Sequence, residues 1–397
     1  MNLRTLPKTK KMKGQRILVR VDWNIPLEGE MEPEALLKIE RSLVTIYDLA
    51  KRGAIVILLT HLGRPKKREA ALSTKQLVPI VKRLYGLELT YHKEIVSNKT
   101  EREWLVTSLS EAEEGSIHLL ENVRFEEGEE KNSVALSKAY AMLGDVFVND
   151  AFASCHRSHA SVAGIAKQLP SFAGGSLQEE VKMLSVFLKK PQRPFVAVVG
   201  GKKLTTKLPV IKALLKMCDA VMVGGAMSHA CFVAQGISIG GSYVEKEGIV
   251  EAQKLVQAPN LFLPTDVILA KSVSKDAELV RSPISSIGKK MMVVDAGPAT
   301  LKVWAEKIQG AKTVLWNGPI GVTEIKSMGA GSRFLARVIG ARSRGAAFGV
   351  AGGGDTIPVI TQTKTQDWFD FVSTGGGAML EFIVLKGCLP GLVPLLK

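Results

Sequence analysis

A chain of 397 residues exceeds what one hydrophobic core usually supports, so two domains are expected. A hydrophobic content of 46% excludes long disorder, and 53 basic against 38 acidic residues, a net charge of +15, admit nucleic acid, a membrane surface or anionic metabolites as partners. Aromatics are only 6% and none is interleaved in a basic stretch, which argues against stacking on single strands; no apolar run reaches the ~18 residues of a membrane span.

Arg4, Lys8, Lys10, Lys11, Lys13, Arg16 and Arg20 all precede the first carboxylate, Asp22. No apolar run follows at once, so no secretory signal is expected. Arg16 and Arg20 flank Ile17-Leu18-Val19, which places part of the cluster on a strand over Ile17–Val21. Leu36, Ile39, Leu43, Ile46 and Leu49 recur at three- and four-residue steps and predict a helix over Glu34–Lys51, stopped by Gly53. Ala54–Thr60 reads as a buried strand. Further strands are expected at Ser116–Leu119, Asp145–Val148, Phe195–Val199, Ala220–Val223, Leu261–Leu263, Met291–Val294, Thr313–Trp316 and Ala347–Val350. Most are continuous apolar runs, the pattern of parallel strands buried on both faces, and helical patterns lie between them. The fold class expected is α/β: two doubly wound, Rossmann-like parallel-sheet domains joined by a helix, with a deep cleft between them. Pro170 and Gly174-Gly175 close the first unit, Leu177–Lys190 reads as one helix, and Pro191 and Pro194 precede the next strand. The expected division is 1–175, a joining helix at 176–190, and 191–380.

The cysteines Cys155, Cys218, Cys231 and Cys388 form no CxxC pair and fit no zinc spacing, so a reduced, cytoplasmic compartment is expected. Cys155, among small polar residues, reads as a bystander rather than a nucleophile.

Polar groups gather where the first-half strands end. RVDWNIP supplies Arg20, Asp22 and Asn24; THLGRP supplies His61, Gly63 and Arg64; ENVRF supplies Asn122 and Arg124. FVNDAFASCHRSHAS supplies Asn149, Asp150, His156, Arg157 and His159. In open α/β sheets the carboxyl ends of strands line the ligand crevice, and the arginine fork fits phosphate and carboxylate. Any one of these residues is as readily a solvated surface group; the repeated position after a strand favours a site for a molecule with more than one anionic group.

The second half offers glycine turns. GGKKLTTK (200–207) follows an apolar run and opens a helix at about Thr206, with Lys203 and Lys207 four residues apart and able to share a helical face. AGGGDT (351–356) ends in Asp355, a natural Mg²⁺ ligand beside phosphates, and STGGGA (373–378) and WNGPIGVTE (316–324) add two more turns. Neither a Walker motif nor GxGxxG occurs. Tight βα turns are common, but together these suggest Mg-nucleotide. A polyanion site in one domain and a nucleotide site in the other suggest phosphoryl transfer.

RVDWNIP, HLGRP, ENVRF with GEEKN, DVFVNDAFASCHRSHAS, GGKKLTTK, LPTDV, DAGP, WNGPIGV, GGGDT, VSTGGGA and LPG stand in the order of the phosphoglycerate kinase family, which the chain resembles from end to end. The resemblance implies reversible transfer of the acyl phosphate of 1,3-bisphosphoglycerate to MgADP, giving 3-phosphoglycerate and MgATP. It implies that Asp22, Asn24, His61, Leu62, Gly63, Arg64, Arg124, His156 and Arg157 hold the phosphoglycerate. Lys203 would neutralise the moving phosphoryl group, with Gly354 and Gly377, beside Gly376, as backbone donors. Gly201, Lys207, Gly224, Gly225, Asn317, Pro319, Glu324, Gly353, Gly354, Asp355 and Thr356 would bind nucleotide, Asp355 holding Mg²⁺. The family's C-terminal residues return to the first domain, so 381–397 is expected there. A monomer is expected, with no membrane partner and with nucleic acid at most a secondary one.

Some positions depart from the family pattern. An Arg is usual where this chain has KIERSLVTI; counting fifteen back from Gly53 gives Lys38, with Arg41 the competing candidate. Lysine keeps the charge and loses the fork. Val44 and Thr323 read as packing differences, Ala226 replaces a Gly near the adenine, and Lys202 adds charge. Two rivals remain: a catalytically weak relative that only binds nucleotide, supported by Lys38, and a nucleic-acid binder acting through the basic surface. The choice between adenine and guanine is left open.

Overall fold

The computed structural model describes residues 1–7, 11–27, 29 and 31–397. Lys8 and Lys10 of the basic cluster lie outside the described residues. These divide into two compact units: Met1–Ser185 together with Gly377–Lys397, and Val186–Gly376.

The first unit is built on β1 (Arg16–Arg20), β2 (Ile55–Leu59), β3 (Thr90–His92), β4 (Ile117–Leu120), β5 (Val146–Asn149) and β6 (Ser171–Ala173). They pair in parallel in the order β3-β4-β2-β1-β5-β6. The order reverses between β1 and β5, the switch point at which such sheets open a crevice. Strand alternation splits the core. Ile17, Val19, Val56 and Leu58 pack with Ile39, Leu43 and Ile46 of α1 (Pro33–Lys51) and with Leu77 and Val81 of α2 (Leu77–Tyr85). Leu18, Ile57, Leu59 and Phe147 face the other way, onto Leu105 and Leu109 of α3 (Lys99–Ser110) and Leu136 and Tyr140 of α4 (Val134–Ala141). Helix α5 (Gly175–Leu188) follows β6. The C-terminal helix Gly377–Val384 sets Phe382 edge-on to Phe152, with ring centroids 5.9 Å apart.

The second unit holds β7 (Phe195–Val199), β8 (Ala220–Val223), β9 (Leu261–Phe262), β10 (Asp266–Ala270), β11 (Val280–Pro283), β12 (Met292–Ala296), β13 (Thr313–Asn317), β14 (Phe348–Gly352) and β15 (Phe371–Ser373). Six are parallel, in the order β15-β14-β13-β7-β8-β9, and reverse between β7 and β13. The helices are α6 (Leu204–Met217), α7 (Met227–Ala234), α8 (Gly248–Leu255), α9 (Pro298–Gly310), α10 (Ala330–Ser343) and α11 (Thr356–Gln362).

The strand expected at Met291–Val294 is not a parallel core strand. It is β12, antiparallel to β10 in a separate three-stranded sheet ordered β11-β10-β12. Only its second half is buried, so an apolar run was mistaken for a two-faced strand. Helix α6 opens at Leu204 rather than Thr206, and the joining helix spans Gly175–Leu188 rather than Leu177–Lys190. Val44 is 70% exposed, so its side chain is no packing adjustment. Cys155 is fully buried, and its thiol is pushed up to about 12 by burial, so it cannot act as a nucleophile at neutral pH.

Candidate active site

Two clusters stand out, one in each unit. In the first, β1 ends on Arg20, which is 1% exposed and pairs in register with the last residues of β2 and β5. Its Nε donates to Ser161 Oγ at 3.1 Å and its Nη2 to His61 Nδ1 at 3.1 Å. A guanidinium can only donate, so His61 Nδ1 accepts and the ring proton sits on Nε2. Burial, then the charges of Arg20, Arg124 and Arg157, hold the His61 pKa well below its usual value, so the ring is a neutral donor. Buried Glu129 accepts from Ser161 N at 2.9 Å and Ser161 Oγ at 2.5 Å. Burial pushes its pKa up, against the pull of Ser161 and Arg20.

The loop after β2 is fixed through its backbone. Asn24 Oδ1 accepts from Gly63 N at 2.8 Å, Arg124 Nη1 donates to Gly63 O, and Asn122 Nδ2 donates to Leu62 O at 2.8 Å. Gly63 holds φ +59, and a Cβ there would meet Leu72 at 2.9 Å. Burial lowers the Arg124 pKa; Glu130 opposes this, while Arg157, Arg20 and Arg64 add to it. Arg157 Nε donates to His156 Nε2 at 3.2 Å, and His156 Nδ1 is buried without a partner. His159, 3.7 Å from Glu129, is held to about 4 by burial and then by Arg157, Arg20 and Arg124. The residues expected from separate segments, His61, Arg64, Arg124, His156 and Arg157, thus sense one another. Arg20 was expected among the polar groups at the strand ends; its buried partners Glu129 and Ser161 were not.

Lys38 and Arg41 of α1 go different ways. Lys38 Nζ lies 2.8 Å from Glu34 and 3.7 Å from Asp22. Burial lowers its pKa, but the two carboxylates outweigh it and the net shift is upward. Arg41 reaches α5, where its Nη1 is 3.3 Å from Glu180, a carboxylate 1% exposed in its side chain. Lys38 is therefore the one that neighbours Asp22.

In the second unit three turns touch. A Cβ on Gly200 would sit 2.0 Å from Pro319 O, and one on Gly318, at φ +98, would sit 2.2 Å from Gly200 O. Lys207 Nζ donates to Gly200 O at 2.7 Å and to Asn317 Oδ1 at 2.7 Å. Asn317 Nδ2 donates to Gly352 O at 2.9 Å, and Gly318 N donates to Thr356 Oγ1 at 2.8 Å. One network therefore ties the ends of β7, β13 and β14. Burial lowers Lys207 to about 8, against the pull of Asp355.

Lys203 does not share a helical face with Lys207. It is the N-cap of α6, extended at φ −111 and ψ 121 and exposed, whereas Lys207 turns inward. Beside the turns lies a cavity of about 360 Å³ whose lining includes Gly201, Gly225, Ala226, His229, Pro319, Glu324 and Asp355. Gly225, at φ +69, lines it; Gly224 does not and packs on Ile320, where a Cβ would come within 2.7 Å. Lys202 Nζ sits 5.1 Å over the Tyr243 ring at the same cavity. Thr323 also lines it. Gly353 holds φ +105. Gly354 and Asp355 are exposed at the start of α11. Gly376, at φ +51, and Gly377 leave open space where a Cβ would be. Among the described residues no group of three His, Cys, Asp or Glu could hold a metal by itself. A lone exposed carboxylate such as Asp355 fits Mg²⁺, which takes one or two carboxylates and draws its other oxygens from phosphates and water.

The Phosphoglycerate kinase family model matches residues 8–386 of the chain. Phosphoglycerate kinase of Deinococcus radiodurans is 40% identical over 387 residues, covering 96% of this chain and 92% of its own. That of Thermus thermophilus is 41% identical over 389 residues, covering 96% of each. The solved phosphoglycerate kinase of Coxiella burnetii superposes with a TM-score of 0.81 at 35% identity, over 98% of this chain and 97% of that one.

Proposed function

The chain belongs to the phosphoglycerate kinase family, and on that premise we propose how its two units share the reaction. The reaction is reversible transfer of the acyl phosphate of 1,3-bisphosphoglycerate to ADP, giving 3-phosphoglycerate and ATP, a step of glycolysis. The first unit binds the phosphoglycerate and the second the nucleotide. The observation that carries this division is the Arg20–His61–Arg124–Arg157 cluster. It is a field of cations and one neutral ring in which even His61 is a donor, as an acid with a carboxylate and a phosphate requires.

Asp22, Asn24, His61, Arg64, Arg124, His156 and Arg157 orient the acid, and the backbone of Leu62 and Gly63 forms the wall behind it. In the direction of ATP use, a carboxylate oxygen of 3-phosphoglycerate attacks the terminal phosphorus, and the bond from phosphorus to the oxygen of ADP breaks. No covalent enzyme intermediate is needed. Lys38 and Lys203 offset charge on the moving group, aided by backbone N–H groups at Gly354 and Gly377. Lys207, Gly201, Gly353 and Thr356 address the nucleotide phosphates, Asn317 and Pro319 frame them, and Glu324 accepts from the ribose. The base lies by Gly225, with Gly224 behind. Asp355, together with the phosphates, would hold Mg²⁺, which would supply charge neutralisation when bound. Both ligands must be brought together for transfer, and α5 is the segment placed in the sequence to act as the hinge. The protein acts as a cytoplasmic monomer.

A coupled assay with 3-phosphoglycerate and MgATP tests the reading. Turnover that Arg124→Ala lowers by raising KM for 3-phosphoglycerate is the expected result; nucleotide binding without turnover would leave the binder reading instead.

A further inference from the structure

The base-binding cavity carries one side chain whose chemistry the family reading leaves unused. His229 on α7 lines the cavity and is 3% exposed. Its Nδ1 lies 2.7 Å from the carbonyl oxygen of Tyr243. A carbonyl only accepts, so Nδ1 carries the proton and donates. Burial lowers the ring's pKa, so the ring is neutral and Nε2 is left as a bare acceptor. Nε2 has no hydrogen-bond partner among the described residues, and the residue that carries it lines the cavity.

The other buried polar side chains of this wall are committed. Ser228 donates to Gly225 O at 2.7 Å. Asp295 accepts from Ala296 N at 2.9 Å and from Gly331 N at 2.7 Å. Phe232 lies nearly parallel to the imidazole at 6.4 Å between centroids, which steadies the ring.

We infer that His229 Nε2 is a specificity-determining acceptor that reads an exocyclic amino group on the base, and so favours a 6-aminopurine. An acceptor facing the 6-oxo oxygen of guanine or hypoxanthine leaves two lone pairs opposed, and facing a bare purine edge it is left unpaired in a dry pocket. The inference rests on the proposal that this cavity holds the base. It deepens that proposal by naming what chooses the base.

The test compares ATP with purine riboside triphosphate, which lacks only the amino group, as phosphoryl donors to 3-phosphoglycerate. It uses the wild-type protein, His229→Asn and His229→Phe. Asparagine keeps a donor for Tyr243 O and deletes Nε2; phenylalanine deletes both. Far-UV circular dichroism and Tm identify any variant that fails to fold, and His229→Asn then stands in for His229→Phe. Wild type is expected to favour ATP in kcat/KM by about three- to tenfold, the worth of one hydrogen bond. Both variants are expected to lose that preference, through a higher KM for ATP and a KM for the amino-free nucleotide no higher than that of wild type, since the unpaired acceptor is gone.

Equal use of the two nucleotides by wild type, or a preference that survives His229→Asn, overturns the inference. Ala226→Trp, which fills the cavity, separates the two levels. If it raises KM for both nucleotides while the preference persists in His229→Asn, only the role of His229 falls. If it raises neither, the cavity does not hold the base and the underlying reading falls as well.

Discussion

On the proposed division of ligands, the two units would meet anions by different means. The first uses side chains: Arg20, Arg124, Arg157 and the neutral His61 are cross-braced by Ser161, Glu129 and the backbone of Gly63. The second uses backbone: glycine turns pressed together at Gly200, Gly318 and Gly353, with the half-buried Lys207 tying them. The contrast follows from chemistry. A small acid offers little but its charges, so rigid arginine forks must define its position. A nucleotide brings a large apolar base, which on the proposed reading the cavity takes, and a polyphosphate that close-packed N–H groups can follow.

The contrast is broken most severely at the cations of the first unit. Lys38→Ala is expected to lower kcat by about 10²–10³-fold, as loss of a transition-state donor does, with steady-state kinetics as the check. Arg41→Ala is expected to lower Tm while kcat falls far less, because Arg41 braces α1 against Glu180. A collapse of kcat in Arg41→Ala with Lys38→Ala unharmed would reverse the assignment.

Gly318→Ala attacks the backbone design of the second unit. A Cβ would enter 2.2 Å from Gly200 O at a φ of +98. Affinity for MgATP, read by calorimetry, is expected to fall by about tenfold or more, with 3-phosphoglycerate affinity unchanged.

Lys207 gives the second unit a pH signature. Its ammonium titrates at about 8 in the free protein, and phosphate favours the charged form, so binding above that pH must take up a proton. MgATP affinity is therefore expected to weaken as pH rises from 8, by up to about tenfold per pH unit, and Lys207→Met should flatten the slope.

The smallest effect expected is on stability in the first unit. His118 donates or accepts between His92 Nε2 at 2.9 Å and Ser116 Oγ at 2.8 Å, and burial, then His92, holds it to about 4. An unfolded histidine titrates at about 6.5, so between about 6.5 and 4 the unfolded chain binds the extra proton and stability falls as pH drops. Asp150, raised to about 6 by burial, works in the opposite direction over part of that window. His118→Gln is expected to gain about 2 °C in Tm on wild type between pH 6.5 and pH 4, after discounting for partial solvation.

Much of this was legible in the sequence because its cause is local. Strands β2 and β7 are fully buried five-residue apolar runs, and runs of that kind predict parallel strands. The glycine turns and the arginines announce themselves by position. What was hidden is what long-range packing decides. Strands β3, β6 and β15 are three residues each and include polar positions, too short for a period to show. The antiparallel pairing of β10 with β12 depends on a partner 25 or so residues away, as does the burial that goes with it. Four-residue spacing suggested one face for Lys203 and Lys207, but the helix begins between them. Nothing near Arg41 in the chain foretells Glu180, and nothing near His229 foretells the Tyr243 carbonyl that sets its tautomer.

The division of ligands between the units is tested most directly by titrating Arg124→Ala with 3-phosphoglycerate and, separately, with MgATP in a calorimeter. The expected result is a loss of about tenfold or more in affinity for 3-phosphoglycerate with MgATP affinity within about twofold of wild type. Equal weakening of both, or weakening of MgATP alone, would contradict the placement of the acid on the arginine cluster and the nucleotide on the glycine turns.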